Sequence, residues 1–133
     1  MKKVNICFLV AIFFTIMSCK TSESSLIGIY IKSPSENTID TLFLYENHKY
    51  KQVIYYKTGE LFGINENNWR LNGGKIDFMN LYLNYDLDLN NYSKPKNGII
   101  GEPLLMPSLL PFSNGKIIID KDRKVFYTKK SKL

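Results

Sequence analysis

The sequence predicts an antiparallel all-β domain, and three observations point to it. Strand and turn formers dominate: past residue 19 the chain has no alanine, the only one being Ala11, and it is rich in Ile, Tyr, Phe and Asn. Short apolar or alternating runs recur roughly every ten residues. Turn signals separate them: Ser33-Pro34-Ser35, Glu46-Asn47-His48, Thr58-Gly59-Glu60, Asn72-Gly73-Gly74 and Asp120-Lys121-Asp122. This is the pattern of a small meander closing into a barrel, with a two-sheet β-sandwich as the alternative.

The chain has 133 residues, 44% hydrophobic and 14% aromatic, which describes one domain with a core and excludes a disordered chain. Outside the N-terminal segment no run of 18 apolar residues occurs, which excludes a multi-span helical membrane protein. The two cysteines, Cys7 and Cys19, both lie at the N-terminus, so no disulfide framework can staple the rest of the chain.

The first element is a targeting segment. Lys2 and Lys3 precede the apolar run Ile6 to Met17, and the small residue Ser18 then leads to Cys19. A charged start, an apolar run too short for a span of about 20 residues and a small residue before the cut make a secretory signal peptide. Ile16-Met17-Ser18-Cys19 resembles the lipobox of bacterial lipoproteins. That resemblance implies a diacylglycerol group on the Cys19 thiol, cleavage after Ser18 and a lipid anchor on the new N-terminus. Two or more acyl chains would make release from a membrane rare. Removing the 18-residue leader from 133 leaves 115 residues, and the formal charge falls from +6 to +4 with the loss of Lys2 and Lys3. Residues 19–25 (CKTSESS) read as the lipidated end and a polar tether, and 26–133 as the single β domain. Lys20 follows the cysteine where some Gram-negative sorting systems read an Asp as retention in the inner membrane. The resemblance therefore implies the outer membrane of the cell envelope.

The strand runs expected after the tether cover 26–31, 41–45, 49–57, 61–64, 68–71, 75–79, 81–89, 116–120 and 125–129, with no helix between them. In Trp69-Arg70-Leu71 and Ile76-Asp77-Phe78 the outer residues should face the core and the middle one water. Leu42 with Leu44, and Leu81 with Leu83, make similar stripes. Leu26-Ile27-Gly28-Ile29-Tyr30, Leu42-Phe43-Leu44 through Glu46-Asn47-His48-Lys49 to Tyr50, Trp69-Arg70-Leu71 and Gly74-Lys75-Ile76 resemble small lipoproteins with a lipocalin-like β-meander. The lipocalin hallmark is Gly-x-Trp, whereas this chain has Gly28-x-Tyr30. A filled barrel is as compatible as one that carries a ligand.

Chemistry-bearing residues are sparse. His48 is the only histidine, stands in a turn and has no triad or metal company. No serine sits in a Gly-x-Ser-x-Gly elbow, so no enzymatic activity is expected. Asp86-Leu87-Asp88-Leu89-Asn90 opens like a calcium loop, but Asn91 and Asn97 stand where an EF-hand needs Gly and Glu, so neither metal nor cofactor is expected. Lys121, Arg123, Lys124, Lys129, Lys130 and Lys132 make a basic C-terminus. It reads best as an edge hairpin whose lysines block pairing, and secondarily as a contact to anionic lipid. Nucleic acid is not expected as a partner of an exported chain without a stacking platform.

In the segment from Pro103 to Phe112, Leu104, Leu105, Met106, Leu109, Leu110 and Phe112 alternate with prolines at 103, 107 and 111. The prolines argue against a central strand, so this segment is expected to be a loop that closes one barrel end or offers an apolar contact to a partner or ligand. The functional expectation is a membrane-anchored, non-enzymatic binding or structural module. The alternatives are a carrier of a small apolar ligand lined by residues such as Tyr30, Leu44, Tyr56, Trp69 and Phe78, and an enzyme acting on envelope lipid or glycan through His48 or Asp86, Asp88 and Glu102.

Overall fold

A computed structural model describes residues 21–85, 95–102 and 104–133. The leader, Cys19, Asp86 and Asp88 lie outside the described residues, as does Pro103. A single helical turn, α1 (Glu23–Leu26), precedes eight strands: β1 (Gly28–Ser33), β2 (Thr38–Leu44), β3 (Lys49–Tyr56), β4 (Leu61–Asn72), β5 (Lys75–Leu81), β6 (Met106–Ser113), β7 (Lys116–Asp120) and β8 (Val125–Ser131). Each strand pairs antiparallel with the next, and β8 returns to β1, so the sheet closes into an eight-stranded barrel. Of the two architectures the sequence allows, the barrel is the one formed.

Alternation sets the inside. Tyr30, Leu42, Leu44, Tyr50, Trp69, Ile76, Phe78, Leu110, Ile117 and Tyr127 fill the interior in one cluster. Arg70 and Asp77 face outward, where they pair at 2.7 Å. Because neighbouring strands run in opposite directions, all odd-numbered connections lie at one end of the barrel and all even-numbered ones at the other. The start of β1, the β2–β3, β4–β5 and β6–β7 turns and the end of β8 therefore share the end that carries α1.

The expected tether is helical from Glu23. Leu26 is fully buried in the core and fixes the turn. Its last carbonyls then find donors from the barrel: Lys129 Nζ reaches Ser25 O at 2.6 Å and Tyr30 Oη reaches Leu26 O at 2.6 Å.

At the seam, Gly28 has φ +155°, and a Cβ there would lie 2.5 Å from the Ser131 carbonyl oxygen. Gly28→Ala is accordingly expected to lose about 1–3 kcal/mol by forcing β1 from β8, read from the urea midpoint of unfolding. A midpoint equal to that of the parent would show that the seam has slack.

The runs at 61–64 and 68–71 merge into the single strand β4, which pairs with β3 up to Asn68 and with β5 from Trp69 onward. The first half of β4 is thus left without β5 beside it. Chain from the β5–β6 connection fills the gap: Ile99 bridges Ile64, and Ile100 N donates to Ile64 O at 2.9 Å. Gly63 is the residue that permits this, since a Cβ would lie 2.6 Å from Ile100 Cγ1.

Two further expectations fail. The segment at 106–113 is the strand β6, inside a closed sheet despite its prolines. Pro107 falls at the irregularity of the β5–β6 ladder, and Pro111 faces Lys75, the first residue of β5. On the other side β6 pairs with β7 only at Phe112 and Ser113, so neither proline sits opposite a β7 partner. The basic C-terminus is not an edge hairpin either, because β8 pairs on both sides and a closed barrel has no edge.

Candidate functional site

The most distinctive chemistry lies inside the barrel. Along β2 the inward phase reads Thr38, Asp40, Leu42, Leu44, and along β3 it reads Tyr50, Gln52, Ile54. β2 therefore turns polar toward the end opposite α1, and β3 sets Gln52 between Tyr50 and Ile54. Thr38, Asp40 and Gln52 have no exposed surface, and Lys32, Asn65, Asn84 and Tyr127 are buried with them.

These side chains receive residues 80–84, where the chain leaves β5. Tyr50 Oη donates to Asn80 O at 2.8 Å and Asn65 Nδ2 donates to the same oxygen at 2.7 Å. Gln52 Nε2 donates to Tyr82 O at 2.9 Å, and Gln52 Oε1 accepts from Tyr82 N at 3.3 Å. Asn84 Nδ2 lies 3.0 Å from Thr38 Oγ1 and 3.2 Å from Asp40 Oδ2. Amide side chains thus take over at Asn80, where the β5–β6 ladder is irregular, and beyond Leu81, where β5 ends, so these backbone groups can enter a dry interior at little cost.

Burial pushes the Asp40 carboxyl up to about 6, against the opposing pull of hydrogen bonds from Tyr127, Asn84 and Gln52 and the charge of Lys32. The Tyr127 hydroxyl, itself held protonated by burial and by Asp40, accepts from Gln52 Nε2 at 2.8 Å. Gln52, Tyr127 and Asp40 form a relay that ends on a carboxyl titrating near neutrality. All of these bonds are made within the chain itself, and no buried side-chain nitrogen or oxygen among the described residues lacks a partner. The cluster holds the barrel's own filling in place.

The proposed carrier lining has the same role. Tyr30, Leu44 and Phe78 have no exposed surface and pack with Trp69 in the main core. Tyr56 packs against a second cluster of Ile54, Phe62, Tyr82 and Ile100. The predicted contact segment divides. Leu110 is core at 7% exposure, Phe112 packs against the main cluster, and Leu104 and Leu105 pack against the second. Met106 and Leu109, at 49% and 48%, face outward. Four of the six therefore pack inward, and Met106 and Leu109 are the two left facing outward.

At the α1 end, His48 lies 3.1 Å from Glu23 and 5.4 Å, ring to ring, from Trp69. Trp69 in turn donates from Nε1 to Tyr45 O at 3.2 Å and from its backbone N to His48 O at 2.8 Å. Glu23, Ile27, Glu46, His48, Trp69 and Lys132 line an open groove of about 300 Å³ at this end. A second, of about 620 Å³, runs beside Tyr45, Asn47, Lys49, Glu66, Asn67 and Asn68. Among the described residues no three His, Cys, Asp or Glu side chains converge on one point. Glu102 is exposed near the far end, so it does not join His48. No helix among the described residues is long and apolar enough to cross a membrane.

Sequence reasoning missed Asp40, Gln52, Asn65 and Asn84. A signal was present in the phase: Asp40 lies two and four residues before Leu42 and Leu44, and Gln52 stands midway between Tyr50 and Ile54. A polar residue on the apolar phase of a strand marks a buried polar site. In comparisons with family models, curated proteins and solved structures, nothing matches this chain.

Proposed function

We propose that the chain is a lipoprotein of the cell envelope, anchored through a lipid on Cys19, whose barrel acts as a non-enzymatic binding or structural module. The observation that carries the reading is the leader ending in Ile16-Met17-Ser18-Cys19, placed only a few residues before a self-contained barrel. Three residues, Lys20 to Ser22, separate Cys19 from α1. Even fully extended they reach about 10 Å, which keeps the barrel close to the lipid. The interior supports a surface role: residues 80–84 and the main core occupy it, leaving the outer wall and the two ends for contacts. Lys20 after the cysteine favours delivery to the outer membrane.

Cys19→Ala is expected to abolish incorporation of labelled fatty acid and to leave the leader uncut, giving a heavier chain on a denaturing gel. Labelling that persists in this variant, or a mature N-terminus other than residue 19 in the parent, overturns the reading.

A further inference from the structure

The two ends of the barrel differ in charge. At the α1 end the turns and strand ends hold Lys49, Lys75, Lys116, Lys129, Lys130 and Lys132 against Glu23 and Glu46, a surplus of four positive charges. At the other end the described residues hold Lys57, Lys96, Lys121, Arg123 and Lys124 against Glu36, Glu60, Glu102, Asp120 and Asp122, which balance. On the wall between them, Arg70 pairs with Asp77 and Lys51 with Glu66.

One of the six lysines is structural: Lys129 donates to Ser25 O and lies 5.8 Å from the Tyr30 ring centre. Burial and the charge of Lys132 lower its affinity for a proton. The other five are exposed. The chain ends among them with Leu133, a half-exposed apolar residue.

The chain enters the barrel at this same end, through α1. We propose that the α1 end is a membrane-docking face: Lys49, Lys75, Lys116, Lys130 and Lys132 rest on anionic phospholipid head groups and hold the barrel axis upright, with the β5–β6 connection turned away. This rests on the reading of Cys19 as the anchor, which brings α1 within about 10 Å of the bilayer, inside the distance over which head-group charge is felt. The charge asymmetry supplies what a flexible tether cannot, namely an orientation. It also selects the exposed partner-facing surface as the opposite end, where Leu104, Leu105 and Ile100 close the barrel.

The experiment uses the mature acylated protein reconstituted into vesicles of phosphatidylethanolamine with phosphatidylglycerol, or of phosphatidylcholine alone. Cys7 leaves with the leader and the Cys19 sulfur is blocked, so a fluorophore on Ser131→Cys or Thr58→Cys reports one end each. Quenching by nitroxide head groups is expected to be strong at position 131 and weak at 58 in phosphatidylglycerol vesicles. The contrast should fall with salt and in phosphatidylcholine. The pair Lys75→Glu with Lys130→Glu should lower the docked-to-undocked ratio on the order of thirtyfold at low salt, whereas Lys57→Glu with Lys121→Glu leaves it unchanged.

Contrast that is the same in both lipids and indifferent to the Lys75 and Lys130 reversals overturns the proposal and assigns the cationic end to an acidic protein or glycan. Should the mass of the mature chain show no acyl group, the lipoprotein reading fails separately. Docking is then decided by whether the chain sediments with phosphatidylglycerol vesicles and is released by salt.

Discussion

Trp69→Ala is expected to lower the free energy of unfolding by about 3–5 kcal/mol, a large share of the 5–15 kcal/mol that holds a domain of this size together. Trp69 is the only tryptophan and is 2% exposed. It stands where β4 changes partner from β3 to β5, so it packs against both parts of the sheet. Its backbone and indole nitrogens both bond to the β2–β3 turn, at His48 O and Tyr45 O. Alanine would therefore leave a cavity in the main core and also release the turn that covers it. The melting temperature should drop on the order of 10–20 °C, followed by circular dichroism because the variant has no indole to report.

Trp69→Phe separates the two effects. It retains most of the packing and loses the bond to Tyr45 O, which keeps its bond from His48 N, so about 1 kcal/mol is expected. Met79→Ala, on the outer face of β5 at 54% exposure, should cost less than about 0.5 kcal/mol. If Trp69→Ala proves as mild as Met79→Ala, the core is not organised around the indole.

The barrel was legible because most of the evenly spaced runs, with the turns between them, fall in strands of simple alternation. Trp69 and Ile76 with Phe78 face inward as their phase requires, and the Gly73-Gly74 turn joins the strands that carry them. The element boundaries that failed did so where tertiary contacts replaced local preference. Propensity alone made 81–89 a strand, of which 86–89 lie outside the described residues; β5 ends at Leu81, and on either side of it the carbonyls of Asn80 and Tyr82 accept from Tyr50, Asn65 and Gln52, 15 to 30 positions away in sequence. β6 was hidden by its prolines, which a sequence cannot place on one side of a ladder or the other. α1 was hidden because four residues are too few to show a period; its stability comes from Leu26 in the core and from Lys129, more than a hundred residues on. The motif at residues 16–19 is linear and needs no fold to be read, whereas the asymmetry of the lysines needs the strand directions before the charges can be sorted by end.

The second large effect concerns pH. The Asp40 carboxyl sits in the closed barrel at about 6, against 3.8 for an ordinary aspartate. Between those values the folded chain holds a proton that the unfolded chain has lost. Stability from this group is thus fully present below pH about 4 and is lost as pH rises through about 6, the reverse of an aspartate in a salt bridge. A two-unit shift corresponds to about 3 kcal/mol, so the urea midpoint should carry a component that falls across this window. Asp40→Asn keeps the shape and removes the charge, and the difference between its midpoint and that of the parent should therefore change steadily from pH 4 to pH 7. Curves that stay parallel would place the Asp40 charge in a setting as favourable as water, which the absence of any exposed surface on it contradicts. The physical consequence reaches beyond Asp40 itself. Its ionised form is the one that Tyr127, Asn84 and Gln52 all serve as donors, and Gln52 also grips the backbone of Tyr82. Ionisation and the seating of residues 80–84 are coupled through one amide, so Gln52→Leu should both steepen the pH dependence and speed amide exchange at Tyr82. The variant removes a donor from the carboxylate and two bonds from the segment at once, and a change in only one of the two readouts would show that the coupling does not run through Gln52.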